Sequence, residues 1–262
     1  MSVPIDVLIP IGPKDFNTSV LSARSVRSFV KGVRNIYVVC RNDPGIDGTH
    51  FIDEAIFPFD IKSVKAILGG EKRAGWYLQQ LIKLYFPLVV AECLDHVLAV
   101  DADTIFLRRS RFIENGRVVF NIGAEFHRPY FEHMQRMHPS LQKRLPYSGI
   151  THCMLFNRHW LAELTELVEA GHNQTAFWKI FLASIDVKYR EMSGASEYET
   201  YFNFCLDRHP DGLCIRRFRW RNVRATDEVN SDLYDYVTLH WYRRQQNIDY
   251  NRLAAMVAAG AA

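Results

Sequence analysis

Residues 7–11 form an uncharged apolar run, Val7-Leu8-Ile9-Pro10-Ile11, and a second run, Asn35-Ile36-Tyr37-Val38-Val39-Cys40, follows some twenty-five residues later. Apolar segments this short, without polar alternation, read as strands buried on both faces. Between them, residues 16–33 place Val20, Leu21, Val26, Phe29 and Val30 near helical spacing. The predicted order is therefore strand, helix, strand, and this pattern leads to a mixed, mostly parallel sheet with helices on its faces. In such sheets ligands sit beyond the carboxyl ends of the strands. The first strand ends in the loop Gly12-Pro13-Lys14-Asp15, and a third apolar run, His96-Val97-Leu98-Ala99-Val100, stops abruptly at Asp101.

The other elements are less sharply marked. Residues 41–70 carry Pro44, Gly45 and Gly48 and read as a loop with one short strand at residues 55–57. Residues 75–86 (GWYLQQLIKLYF) repeat apolar side chains at Tyr77, Leu81, Leu84 and Tyr85, predicting an amphipathic helix closed by Pro87. Further helices are predicted over 160–170, 175–181 and 197–206, and a strand over 153–156. Residues 254–262 are small and apolar, predicting a frayed helix end or disorder.

At 262 residues the chain is long enough for a full core and reads as one domain, residues 1–250, with a first half (1–105), a second half (106–250) and a tail (251–262). Apolar residues at 48% and charged residues at 23% exclude a disordered or collagen-like chain. The longest apolar stretch, residues 84–91, is too short to span a membrane. The N-terminus has no basic segment and no small-residue cleavage site, so cytoplasmic residence is expected. Five scattered cysteines without a CxxC pair argue against a disulfide framework or a zinc ribbon and read as reduced core residues, leaving the sequons at Asn17 and Asn173 unused.

Asp101-Ala102-Asp103 directly follows the third strand. In extended chain, carboxylates at i and i+2 point to the same side, and two carboxylates so placed repel unless a proton or cation relieves them. Hard oxygen donors of this kind suit Mg²⁺ or Mn²⁺ with phosphate oxygens completing the shell, and such a cation stabilises a departing diphosphate. The plainer alternative is an Asx turn or a cap on the next segment.

Taken in order, four blocks resemble the GT-A class of nucleotide-sugar-dependent glycosyltransferases over about residues 5–245: the loop Pro10-Ile11-Gly12-Pro13-Lys14-Asp15, the Asp101-Ala102-Asp103 motif, the acidic helix start Ser196-Glu197-Tyr198-Glu199, and His240-Trp241. The block GWYLQQLIKL further looks like a group of small stand-alone glycosyltransferases from bacteria and algal viruses. The resemblance implies a Rossmann-like GT-A domain with a nucleotide-sugar half at about 1–105 and an acceptor half at about 106–250, a nucleoside-diphosphate sugar (UDP- or GDP-sugar) as donor and a glycan or glycoprotein as acceptor. It also implies that Asp101 supports the ribose or metal, that Asp103 binds the metal, and that His240 is a third metal ligand. A histidine nitrogen in the set tilts the choice toward Mn²⁺. The lysine, proline and tryptophan that follow such a histidine in glycogenin-like retaining enzymes are replaced by Trp241-Tyr242-Arg243-Arg244, which favours inversion. Pro10, Ile11, Gly12, Lys14, Asp15, Arg41, Arg73, Trp76, Gln80, Asp101, Ala102, Asp103, Ser148, Gly149, Thr151, His152, His240 and Arg243 make up the expected donor site.

Each remaining candidate has a structural alternative. Arg73 offers a guanidinium fork to a diphosphate or is a solvated loop charge. Residues 148–152, Ser-Gly-Ile-Thr-His, form a small-residue loop able to approach a sugar, or an ordinary turn. Ser196 and Glu199 have capping-box spacing. Glu197 has no such structural role, so it is the first choice for the general base that deprotonates the acceptor, with Glu199 second. Residues 215–224 alternate so that Arg217, Arg219 and Arg221 would share one strand face, fitting an edge strand or an anionic-acceptor groove. With a net charge of only +3, no nucleic-acid partner is expected. His127, His133 and His138 fit no metal motif, and P-loop, dinucleotide and hydrolase-elbow motifs are missing.

The expectation is thus a metal-dependent, inverting glycosyltransferase using Mn²⁺ or Mg²⁺. A sugar-1-phosphate nucleotidyltransferase and a non-catalytic nucleotide-sugar or glycan binder are the rivals. The nucleotidyltransferase lacks its glycine-rich first loop, since only Gly12 precedes Lys14.

Overall fold

The computed structural model describes residues 3–70, 72–239 and 248–261. Five strands form the central sheet in the order β3 (His50–Asp53), β2 (Val33–Cys40), β1 (Ile5–Pro10), β4 (His96–Val100), β8 (Cys153–Asn157). The β3, β2, β1 and β4 neighbours run parallel, and only β8 is antiparallel to its neighbour. The mixed, mostly parallel sheet flanked by helices is the expected fold class.

Two small sheets flank it. One consists of β10 (Trp220–Asn222), β11 (Tyr236–Thr238) and β5 (Thr104–Phe106), the other of β6 (Ile113–Glu114), β7 (Arg117–Phe120) and β9 (Leu213–Ile215). The helices are α1 (Phe16–Phe29), α2 (Ile61–Leu68), α3 (Ala74–Val89), α4 (Arg128–Met137), α5 (Arg158–Ala170), α6 (Phe177–Ala183), α7 (Glu197–Arg208) and α8 (Tyr250–Ala261).

Among the described residues no helix is long and apolar enough to cross a membrane. All five cysteines are free, and Cys93, Cys153 and Cys205 are buried.

The central strands are buried on both faces, which explains their unalternating sequences; Val7, Leu8, Ile9, Val97, Leu98, Ala99 and Val100 are fully enclosed. One carboxylate sits inside this apolar frame. Asp6 of β1 accepts from Arg34 Nε at 3.0 Å, Asn35 N at 3.1 Å and Leu94 N at 2.8 Å, so its burial is compensated at every oxygen. These bonds tie the turn before β4 to the start of β2.

Several sequence expectations are corrected. Residues 41–70 are not a loop: they hold β3, a 3₁₀ turn at Glu54–Ile56 where a strand was expected, and α2. Helix α2 is only eight residues long, but Asp60 and Ser63 cap it reciprocally and Gly69 ends it at φ 69°. Helix α3 continues past Pro87 to Val89, because proline in the last turn forfeits only its own amide bond to the Lys83 carbonyl.

The alternating arginine stretch is not one strand. The chain leaves one small sheet at Ile215 and joins the other at Trp220, with Phe218 buried between them. Its arginines therefore take separate partners: Arg216 pairs with Glu114, Arg219 with Asp235 and Arg221 with the Tyr234 hydroxyl. At the C-terminus, α8 is docked and not frayed, with Leu253 and Val257 buried. A β-carbon on Gly260 would lie 2.8 Å from the Phe29 ring, so glycine permits this close approach to α1.

His133 on α4 is fully buried, with Nε2 2.8 Å from the Phe181 carbonyl and Nδ1 unpartnered among the described residues. Burial pushes its pKa down to about 4. A histidine held neutral in this way stabilises the fold above its unfolded pKa, and that stability drains away as pH falls toward the folded value. Urea unfolding of wild type and His133→Gln at pH 7 and pH 5 should show the wild type losing about 2 kcal/mol relative to the variant over that interval. Parallel pH profiles would place the proton elsewhere.

Candidate functional site

The register of the sheet decides where the site lies. Leu8 of β1 pairs with Ala99 of β4, so Pro10 is level with Asp101 and the 10–15 loop opens beside the Asp101-Ala102-Asp103 segment. On the other side Val100 pairs with Cys153, and the Asp101 amide donates to the His152 carbonyl at 2.9 Å. The 10–15, 101–103 and 148–152 segments therefore converge at the carboxyl ends of β1 and β4.

Helix α3 contributes a polar stripe to this end of the sheet. Arg73, Tyr77, Gln80 and Lys83 follow at spacings of four, three and three, which puts them on one helical face. Arg73 lies 4.1 Å over the Trp76 ring and donates to the Met192 carbonyl and the Ser193 hydroxyl. The Tyr77 hydroxyl donates to the Tyr189 carbonyl and accepts from Gly194 N. Gln80 Oε1 accepts from the Glu197 amide at 3.0 Å, leaving its Nε2 buried without a partner among the described residues. The stripe fastens residues 189–197, and so the start of α7, against α3.

Lys83 is the centre of the cluster. Its Nζ lies 2.5 Å from Asp101 Oδ1, 2.7 Å from Glu197 Oε1 and 4.4 Å from the centre of the Tyr198 ring. The Tyr198 hydroxyl also donates to Asp101 Oδ1 at 2.9 Å, and His152 Nδ1 is 3.0 Å from Asp101 Oδ2. Burial alone would neutralise Lys83, but the two carboxylates outweigh it and raise its pKa. Asp101 is likewise penalised by burial, yet the Lys83 charge and the His152 contact hold its pKa well below the usual range. Glu197 comes out the other way: burial prevails over Lys83 and raises it. Of the two carboxylates, Glu197 is the one whose affinity for a proton rises. Its side chain is 5% exposed and that of Asp101 is 25% exposed, so the aspartate is the more open of the two.

The acidic motif is not in extended chain. The Thr104 amide returns to the Asp101 carbonyl at 2.9 Å, making a tight turn between β4 and β5, so the expected same-side geometry of the two carboxylates is replaced by a corner. With both its oxygens taken by Lys83, Tyr198 and His152, Asp101 is oriented within the protein. Asp103 follows in the turn, and its carbonyl accepts from Leu239 N at 2.9 Å. His240 and Arg243 lie outside the described residues, and among those described no three His, Cys, Asp or Glu side chains gather as a metal site.

The other predicted residues divide clearly. Glu199 is fully engaged, accepting from the Ser148 hydroxyl at 2.6 Å and from Asn203 at 3.0 Å. The expected capping box is half made: Ser196 accepts from the Glu199 amide, but the Glu199 carboxylate turns to Ser148 instead of returning to the cap. Gly149 is required by packing, since a β-carbon there would lie 2.6 Å from Phe202 Cβ. Thr151 donates to the Cys153 carbonyl, and His152 adopts φ 63°, which directs its ring to Asp101. Gly12 has a close neighbour as well, since its β-carbon would sit 3.1 Å from Gln79 Nε2. Arg41 is spent on an ion pair with Glu54 at the rim.

Lys83 and Tyr198 are the residues that reading the sequence missed. Lys83 is the one charged side chain within α3, and a cation on a buried face demands buried anions; that was the available signal.

No protein-family model matches this chain, and no curated protein matches it. Among solved structures, mouse xyloside xylosyltransferase 1 in its apo form is similar at a TM-score of 0.49 and 12% identity, over 94% of this chain and 100% of that one. The galactosyltransferase LgtC, in complex with donor and acceptor sugar analogues, is similar at a TM-score of 0.45 and 13% identity, over 97% of this chain and 96% of that one. Likenesses this distant leave the chemistry to be argued from the side chains of the site.

Lys83→Met keeps the volume of the side chain but leaves Asp101 and Glu197 facing each other in a buried site. It should cost about 3–5 kcal/mol of stability. Asp101→Asn combined with Lys83→Met should restore part of that loss, as a double-mutant cycle in urea would show. Additive losses would mean that the lysine and the aspartate do not act on each other.

Proposed function

We propose that this protein is a metal-dependent glycosyltransferase that moves a sugar from a nucleoside-diphosphate sugar to a hydroxyl acceptor with inversion. The observation that supports it most is the Asp101–Lys83–Glu197 cluster, set where β1 and β4 end and beside the Gly12 loop. A buried lysine fixes one carboxylate as an anion and leaves the other with a raised proton affinity. That is the division a site needs when one acidic group organises charge and another takes a proton.

The donor diphosphate would lie between the 10–15 loop and the 101–103 corner. Asp103 and His240 would hold Mn²⁺ or Mg²⁺, with Asp101 orienting the corner through Lys83, Tyr198 and His152. The donor set fits a divalent cation through a hard carboxylate and an imidazole. Such a cation supplies compensation for the charge on the departing nucleoside diphosphate.

Glu197 is the proposed base. Lys83 holds its Oε1, and among the described residues no side-chain donor occupies Oε2, which is left to accept the proton of the attacking hydroxyl. Glu199, with both oxygens satisfied inside the protein, positions the 148–152 loop.

Two measurements test the reading. With a panel of UDP- and GDP-sugars plus Mn²⁺, free nucleoside diphosphate should be released, and chelation should abolish release. Asp103→Asn should do the same with the melting temperature retained. Pyrophosphate exchange in place of diphosphate release would identify a nucleotidyltransferase, and binding without either would identify a binder.

Glu197→Gln should bind donor normally but lose about 10²–10⁴-fold in turnover, while Glu199→Gln should mainly lower stability. The anomeric configuration of the product, read by NMR, should be opposite to that of the donor. Retention would remove the base from the mechanism.

A further inference from the structure

Beside the acidic cluster lies a cleft of about 280 Å³ lined by Ile122, Gly123, Ala124, Arg217, Phe218, Arg219 and Trp220. It is near the small end of the roughly 300–1,000 Å³ range of ligand clefts, which suits one sugar ring better than an extended chain. Trp220 connects the cleft to the site: its ring stands edge-on to His152, with centroids 5.2 Å apart, and lies parallel to Tyr236. His152 in turn contacts Asp101. On the opposite wall Gly123 exchanges two backbone hydrogen bonds with Ser148, whose hydroxyl is on Glu199.

The wall is built around a buried polar anchor. Asn121 Nδ2 donates to the Tyr236 hydroxyl at 2.6 Å, and its Oδ1 accepts from the amides of Ile122 and Phe218. The Tyr236 hydroxyl donates to the Thr151 carbonyl at 2.7 Å. The floor of the cleft and the loop carrying His152 are therefore held as one unit.

The charges of the cleft are distributed unevenly. Arg219 is neutralised by Asp235, with Nη2 3.5 Å from Oδ1, and donates to the Asp232 carbonyl. Arg216 is spent on Glu114. Arg217 is exposed and, among the described residues, has neither hydrogen bond nor ion pair, so a full guanidinium charge borders the cleft next to an indole. An indole ring takes the apolar face of a sugar, and a guanidinium takes a carboxylate or phosphate as a two-pronged partner.

We propose that this cleft is the acceptor subsite and that it takes a saccharide bearing an anionic group, the ring on Trp220 and the charge on Arg217. Naming the ligand the acceptor rests on the glycosyltransferase reading above; the binding of an anionic sugar does not.

The test is a titration of the ¹⁵N-labelled full chain, following the Trp220 indole N–H signal, assigned by its loss in Trp220→Phe. The probes are glucose 6-phosphate, glucuronate, glucose and inorganic phosphate. The two charged sugars should shift the signal saturably, and glucose should not do so at the same concentrations. Arg217→Gln, at an exposed position without a described partner, should keep its melting temperature and weaken the charged sugars about tenfold.

The proposal is overturned if glucose binds as well as the charged sugars or if Arg217→Gln leaves their affinity unchanged. Inorganic phosphate binding as tightly as glucose 6-phosphate also overturns it, since that marks a bare anion patch. A turnover assay on the same preparation separates the two readings. Donor turnover without this binding overturns the subsite alone; binding without any transfer overturns the glycosyltransferase reading and the acceptor's name with it.

Discussion

A buried lysine shared by two carboxylates is the constraint on which this site depends. Lys83 cannot keep its charge inside the protein without Asp101 and Glu197, and neither carboxylate could remain there as an anion without Lys83. Satisfying the three together requires β4, α3 and α7 to meet at one point, although these elements are separated by up to 114 residues of chain. The ion cluster therefore fixes the relative placement of the central sheet and two helices, in addition to its chemical role.

The surrounding structure supports that meeting point. The stripe from Arg73 to Lys83 draws residues 189–197 onto α3, and the Gln80 side chain holds the amide of Glu197 itself. From the other side, the Asn121–Tyr236–Thr151 chain fixes the loop that presents His152 to Asp101. A side chain held from two directions loses little further freedom when a substrate arrives, which is how a rigid scaffold favours one reacting geometry over its neighbours.

The pKa directions within the cluster give it a functional asymmetry. Two carboxylates touch the same ammonium, yet one is driven toward the anion and the other toward the acid: at Asp101 the Lys83 charge and His152 outweigh burial, whereas at Glu197 burial and the neighbouring Asp101 charge outweigh Lys83. Burial opposes the charge of both groups, and the balance of neighbouring charge decides which of them keeps it.

The sequence by itself determined the parallel strands, from runs such as residues 7–11 and 96–100 that carry no polar alternation, and the point at which an apolar strand ends in Asp101. Both are local patterns, set by what a doubly buried strand must be made of. Glu197 could be singled out because it opens a helix without being needed as its cap. Tertiary structure alone decided the partners: Lys83 lies in a helix read only from its apolar spacing, Asp6 stands just ahead of the first apolar run, and the arginines of 215–224 looked like one face of a strand now divided between two sheets. Each is settled by a residue distant in sequence, and periodicity carries no information about which buried anion a buried cation will meet.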